Sequence, residues 1–336
     1  MKNSVTYEID DDLGPLARKP REPVALDAAF EDPDAIRALV RRHAPYWPVM
    51  RYVARGSEMK AVGGADGPVF VPPWFRGDWA YREPLVDGAA AVLNNVAFRD
   101  AAARMFDAET VVPQVVYLNL MGPMPSSGPP HVDVPAFRGL DRREYPVWLL
   151  HVMHRSGLFA AWKIDIATAV AWFYEGEGGV FEYWADGPQA PPRRVDAPLS
   201  NRAVVGDNDV MFHRVGRIGE VGREMPQGAS LDAELLPDAD AATRWRIVDA
   251  GREIASYEAS ELRISISWKA ECFADANAVR IWREHEDDLD FETVVDRLLA
   301  ALADAGERLG RPADPLHDDR FIRALSELYP ISAPNV

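Results

Sequence analysis

The chain of 336 residues contains one cysteine, Cys272. A single thiol excludes an intramolecular disulfide and a thiolate metal cluster. Lysine is also scarce, at five of the 37 basic residues, which reads as coding bias rather than chemistry. No run of roughly 18 apolar residues exists, so no membrane span is expected. The first residues, Met1 to Asp12, lack the apolar core of a signal peptide, and a soluble cytoplasmic chain is expected. Positive charge is short overall: 37 Lys and Arg against 53 Asp and Glu give a net charge of −16. Phosphate contacts need a basic surface, so nucleic acid and anionic membrane are both disfavoured as partners. Glu175-Gly-Glu-Gly-Gly179 lacks the lysine and the following Ser or Thr of a phosphate loop. Gly216, Gly219 and Gly222 have no helical pattern after them, which removes a dinucleotide fingerprint. A small-molecule substrate is the partner these absences leave.

What is present is globular in kind, with 48% hydrophobic and 27% charged residues. The most informative stretch is Gly128-Pro-Pro-His131-Val-Asp133, taken with Asp209-Val-Met-Phe-His213. In extended chain, residues two apart face the same way. His131 and Asp133 can therefore grip one ion from one strand end, with His213 arriving from a second β-like segment. Two imidazoles and a carboxylate on one face of an octahedral ion leave three positions open. Glu261 to Trp268 alternates polar and apolar residues, the period of a strand. Its polar face carries Arg263, Ser265 and Ser267; guanidinium grips a carboxylate bidentately and serine adds one hydrogen bond.

In the order His131-x-Asp133, His213, Arg263-x-Ser265, the sequence resembles the Fe(II)/2-oxoglutarate-dependent oxygenase superfamily, over roughly Pro113 to Phe273. The resemblance implies a mainly β fold with flanking helices, built on a double-stranded β-helix (jelly-roll or cupin-like) with iron at its mouth. It implies Fe(II), 2-oxoglutarate and O2 as cofactors, with decarboxylation to succinate and CO2 coupled to oxidation of a small molecule, hydroxylation first among the outcomes. His131, Asp133 and His213 would hold iron, and Arg263 with Ser265 the cosubstrate. Tyr117 and Asn119, on one face of a strand over Thr110–Met121, would contact the cosubstrate too. Halogenation is disfavoured because Asp133 occupies the position a halide needs. One departure stands out: the family's cosubstrate arginine usually follows the distal histidine closely, whereas Arg263 lies 50 residues after His213. Arg217 and Arg223 are nearer; Arg263 is preferred because Arg223 sits among loop formers. Two other readings stay open: a cupin-type metal enzyme that does not use 2-oxoglutarate, and a non-catalytic β-barrel that binds.

Around this core, residues 1–109 are expected to form an N-terminal arm and helical segment, 110–273 the barrel with an insertion at about 218–258, and 274–336 C-terminal helices. Asp32-Pro33 marks a helix start, with Asp32 as N-cap. Residues 44–83 read as irregular, Pro84–Asp107 as one helix, and Asn201–His213 as a turn at 206–209 leading into a strand at Val210–His213. The insertion contains a hairpin around Asp249-Ala-Gly251. His151 and His154, three apart, have no third ligand nearby in sequence and are expected to have a packing or surface role. Arg138 is a candidate partner for a substrate carboxylate. Helices over Phe291–Ala305 and Asp319–Tyr329 are expected to pack on the barrel or form a homodimer contact.

Overall fold

The computed structural model describes residues 19–52, 74–226, 229–241 and 243–334. Residues 1–18 of the arm expected at 1–30, and residues 53–73 of the segment expected to be irregular, lie outside the described residues; residues 24–26 of that arm form the strand β1. The strands in chain order are β1 (Val24–Leu26), β2 (Trp47–Pro48), β3 (Phe75–Tyr81), β4 (Glu83–Pro84), β5 (Thr110–Met121), β6 (Ala136–Phe137) and β7 (Lys163–Phe173). They continue with β8 (Phe181–Tyr183), β9 (Arg193–Val195), β10 (Arg202–Gly206), β11 (His213–Val215), β12 (Glu234–Pro237), β13 (Arg244–Asp249), β14 (Arg252–Glu258) and β15 (Arg263–Phe273). The helices are α1 (Pro33–Arg42), α2 (Ala89–Leu93), α3 (Val96–Phe106), α4 (Val147–Ser156), α5 (Ala276–Glu284), α6 (Phe291–Asp304) and α7 (Asp319–Leu328).

The largest sheet runs in the order β1-β10-β7-β15-β5-β3-β2, with β4 on β3 and β6 on β7; all its pairings are antiparallel. A three-stranded sheet, β11-β8-β9, faces it. Trp172 of β7 meets Phe181 of β8 at 5.1 Å between ring centroids, and one cavity is lined from both sheets. This is the mainly β, two-sheet jelly-roll expected, with helices on the outside. The main sheet crosses the boundary expected at residue 109, since β1, β2, β3 and β4 all join it.

The alternation of β15 decides the layering. Ile266, Trp268 and Ala270 are fully buried on its outer face. There Trp268 donates its indole N–H to the Leu93 carbonyl (2.8 Å) and packs on Phe98 of α3. A second apolar cluster joins α4, α6 and α7 to Phe137 and Leu140. The opposite face of β15 carries Arg263, Ser265, Ser267, Lys269 and Glu271, the first three of which line the cavity between the sheets. In β5, Gln114 is the extra residue of a bulge opposite Lys269 and Ala270. The bulge accommodates Pro113, which cannot donate to a ladder, and the Gln114 side chain reaches Glu271 (3.1 Å).

Three local readings change. The segment 44–83 is not irregular throughout, because 75–81 is the strand β3, paired with β5 on either side of a register shift at Trp79. Gly77 hides its pattern, and a Cβ there would lie 2.5 Å from the Tyr46 ring. The single helix expected at 84–107 is two, α2 and α3. Asn95 caps α3 by accepting from the Phe98 N–H (3.0 Å), a side-chain bond that competes with helix continuation. The strand expected from Val210 begins only at His213. The Asp207 carbonyl accepts from both Val210 and Met211, extending the turn past the Asp-Asn-Asp run. The hairpin in the insertion stands as expected: Ala250 and Gly251 both have positive φ (48° and 74°), the geometry of a tight two-residue turn. With β12 it forms a third, separate sheet.

Glu271 gives the fold a pH dependence. Burial pushes its carboxyl up from the usual 4.5 to about 7, against the opposing pull of Arg82 and the Gln114 hydrogen bond. The folded state thus holds a proton that the unfolded chain loses near 4.5. The contribution is present below that pH and is lost as pH rises through about 7. Glu271→Gln should therefore raise the melting temperature at pH 8 by several degrees, on the order of 3 kcal/mol at most. It should leave the melting temperature at pH 4.5 unchanged; equal shifts at both pH values would contradict this origin.

Candidate metal centre

His131, Asp133 and His213 each offer one ligand atom, all within 4.8 Å of one another. The histidines are brought together by backbone. The His131 N–H donates to the His213 carbonyl (3.1 Å) and the His213 N–H to the His131 carbonyl (2.9 Å), a single antiparallel bridge at the start of β11. Their rings lie 4.5 Å apart. Asp133 is placed by its own N–H, which donates to the Asn208 carbonyl (2.7 Å). The H-x-D segment is thus tied both to β11 and to the turn that leads into it.

The imidazoles are oriented alike. His213 Nδ1 lies 3.1 Å from the Met211 carbonyl and His131 Nδ1 lies 3.3 Å from the Pro129 carbonyl. A carbonyl only accepts, so each Nδ1 carries the proton and each Nε2 keeps a lone pair for a metal. Burial, aided by His131, brings His213 down to about 4, so it is neutral and ready to ligate at pH 7. Burial by itself would raise the Asp133 carboxyl, but Lys269, His213 and His131 outweigh it and hold the group at about 2. His213 is buried, whereas His131 is exposed, so the centre is approached from the His131 side.

The cavity behind the triad holds about 610 Å³, counting the space open to solvent at its mouth, and both sheets line it. Arg263 forms part of that lining and is fully buried. Its Nε donates to the Gly179 carbonyl (2.9 Å), while Nη1 and Nη2 have no protein hydrogen-bond partner. Burial pushes this guanidinium down to about 9, still charged at pH 7. Gly179 is required where it stands: its φ is +69°, and a Cβ would lie 2.6 Å from the Tyr174 ring and 3.2 Å from Arg263 Cδ. Ser265, Tyr117 and Asn119 line the same cavity, and Ser265 Oγ donates to the Asn119 carbonyl (3.4 Å). β15 pairs Ser265 with Asn119 and Ser267 with Tyr117, which puts these polar groups on one face. The guanidinium of Arg76 covers the Tyr117 ring at 4.0 Å.

The other arginines considered are engaged elsewhere. Arg223 is 46% exposed and paired with Glu261, and Arg217 is paired with Glu177. Arg138 grips Asp287 with two bonds of 2.7 Å and does not line the cavity. His151 and His154 lie on α4, outside the triad. Sequence reasoning missed Lys269, Thr168 and Asn208. Lys269 Nζ lies 2.8 Å from Asp133 Oδ2, and Thr168 Oγ1 lies 3.4 Å from the same oxygen. Carrying the polar alternation of β15 one step beyond Ser267 reaches Lys269 directly.

No protein-family model matches the chain, and no curated protein sequence matches it. Among solved structures it is similar to EvdMO1 at 12% identity and a TM-score of 0.36, covering 75% of this chain and 48% of that one. The chain therefore spans about half the length of EvdMO1. It is similar to OsALKBH1 at 13% identity and a TM-score of 0.34, covering 76% and 99% of the two chains. It is also similar to HygX from Streptomyces hygroscopicus, solved with nickel and 2-oxoglutarate bound, at 9% identity and a TM-score of 0.34, covering 75% and 83%. Likeness at this level carries no information about substrate.

Removing one of three ligands should cost more than the roughly 10–100-fold in metal affinity that losing a supporting partner costs. In titration with Mn(II), His213→Ala and Asp133→Asn should each lose binding beyond that range, and His154→Ala should bind as wild type does. Unaltered binding by His213→Ala would place the metal elsewhere.

Proposed function

We propose that this chain is a non-haem Fe(II)- and 2-oxoglutarate-dependent oxygenase that hydroxylates a small molecule. The observation that carries the reading is a buried guanidinium with two unpartnered terminal nitrogens in the same cavity as a two-histidine, one-carboxylate triad. A buried charge without a partner costs several kcal/mol. A carboxylate in the bidentate geometry suited to guanidinium relieves that cost. Both halves of the cosubstrate's chemistry are thus matched by residues of this chain.

In this reading His131, Asp133 and His213 hold the iron, each through the atom its hydrogen bonds leave available. When bound, iron and 2-oxoglutarate supply O2 activation coupled to decarboxylation, with release of succinate and CO2. Arg263 fixes the distal carboxylate, and its bond to Gly179 limits the directions the guanidinium can take. Ser265, Tyr117 and Asn119 add polar contacts along the cosubstrate. Trp172, Val170 and Phe181 wall the cavity and exclude water from it. His131 and Trp74 border the cavity where a substrate enters. The net charge of −16 weighs against a nucleic acid and leaves a small molecule as the substrate class.

Anaerobic addition of Fe(II) and 2-oxoglutarate should give a weak visible metal-to-ligand charge-transfer band, and aerobic incubation should yield succinate. Truncating one side of a buried charge pair costs about 2–5 kcal/mol. Arg263→Leu should therefore weaken 2-oxoglutarate binding by about 30-fold or more, while Arg223→Ala stays within twofold. Relieved of an unpartnered buried charge, Arg263→Leu should melt no lower than wild type. No band and no succinate from metal-loaded wild type would replace this reading with a metal enzyme that does not use 2-oxoglutarate.

A further inference from the structure

Two of the chain's five lysines, Lys163 and Lys269, are held by carboxylates close to the triad. Lys163 Nζ lies 2.7 Å from Asp209, in the turn that precedes His213. Lys269 acts on a ligand itself. Its ammonium lies 2.8 Å from Asp133 Oδ2, which Thr168 Oγ1 also approaches at 3.4 Å. The other oxygen, Oδ1, is the one turned toward His213 Nε2, at 3.9 Å. β15 and β7 pair Lys269 with Thr168 directly, so both groups reach Asp133 from neighbouring positions of two central strands. Lys269 does not line the cavity; it reaches the carboxylate from behind.

We infer that Lys269 is a positioning residue for the metal centre: with Thr168 it holds the far oxygen of Asp133 and leaves Oδ1 as the single carboxylate oxygen offered to the ion. The inference rests on reading His131, Asp133 and His213 as the ligands. The terminal torsion of aspartate is broad, so nothing within Asp133 prevents it from turning both oxygens to a metal. A bidentate carboxylate would take a fourth coordination position on an octahedral ion and leave two where three are needed for a bidentate cosubstrate and O2. An ammonium is a compact point charge that engages one oxygen. The planar fork of arginine spans both and would compete with the metal for Oδ1. A lysine is thus the basic residue that holds one oxygen of Asp133 and releases the other.

The test uses Co(II) alone, whose visible bands report coordination number, on the full chain without 2-oxoglutarate. Lys269→Met should bind Co(II) 10–100-fold more weakly, the usual cost of losing a ligand's supporting partner, with visible bands altered from wild type. Thr168→Val, which keeps every charge, should shift the bands in the same direction with a loss of a few fold. Lys269→Met that binds within twofold of wild type, with the same bands, overturns the assignment and leaves the metal centre intact. Should Lys269→Met not fold, Thr168→Val decides in its place, and unchanged bands and affinity overturn the assignment. Wild type that takes up no Co(II) overturns the metal-centre reading itself, and the role of Lys269 with it.

Discussion

β15 hydrogen-bonds to β5 on one side and to β7 on the other over nearly its whole length. Its pleat therefore cannot slip by one residue without exchanging its two faces. On one face stand Arg263, Ser265, Ser267, Lys269 and Glu271; on the other stand Ile266, Trp268 and Ala270. A slip would drive two cations and a carboxyl into the apolar layer against α2 and α3. The desolvation cost of that exchange is several kcal/mol per ion, far more than a register error in a surface strand. The same pairing that builds the core thus fixes where the charges of this strand lie.

Those charges are arranged in order of need. Arg263, in the cavity wall, is buried with one nitrogen bonded and two without a protein partner. In the middle, Lys269 and Asp133 satisfy each other, and the carboxylate stays ionised despite burial. Farther along, Glu271 has only an amide hydrogen bond and a distant arginine, and it holds its proton to about pH 7. One strand thus carries a cation without a protein anion, a cation with one, and an acid that burial keeps neutral. Only the first is unsatisfied, and it faces the cavity, which is why it points to a ligand rather than to stability.

Much of the site was legible in the sequence because it rests on period-two alternation. The i, i+2 spacing of His131 and Asp133, the polar face of β15, and Tyr117 with Asn119 all follow from the pleat. The arginine question yields to burial, which spacing does not report: Arg223 is half exposed and paired, Arg263 enclosed. Lys269 was hidden by ending the strand at Trp268, and by reading scarce lysine as composition alone. The helix break at Asn94-Asn95 and the late start of β11 turn on single side-chain or turn hydrogen bonds, which average propensities do not resolve. Strand β3 was obscured by a glycine that exists to admit the Tyr46 ring, a contact between segments about 30 residues apart.

Neither His131 nor Asp133 stands in a named strand; His131 is placed by its bridge to His213 and Asp133 by its bond to Asn208. The segment from Gly122 to His131 runs antiparallel to 213–218 and touches it at three places. Met124 bridges Ile218, Ser127 both accepts from and donates to Val215, and His131 bridges His213. Between those points stand Pro125, Pro129 and Pro130, which have no N–H to give. The segment is therefore joined to the small sheet by isolated bridges rather than by a continuous ladder. The prolines restrict the chain before it folds, which lowers the entropy lost in bringing His131 to His213. They also deny a neighbouring chain a continuous edge to pair with. His131 is thus the exposed member of the triad, on a sparsely bonded segment, while Asp133 is half-buried and His213 buried.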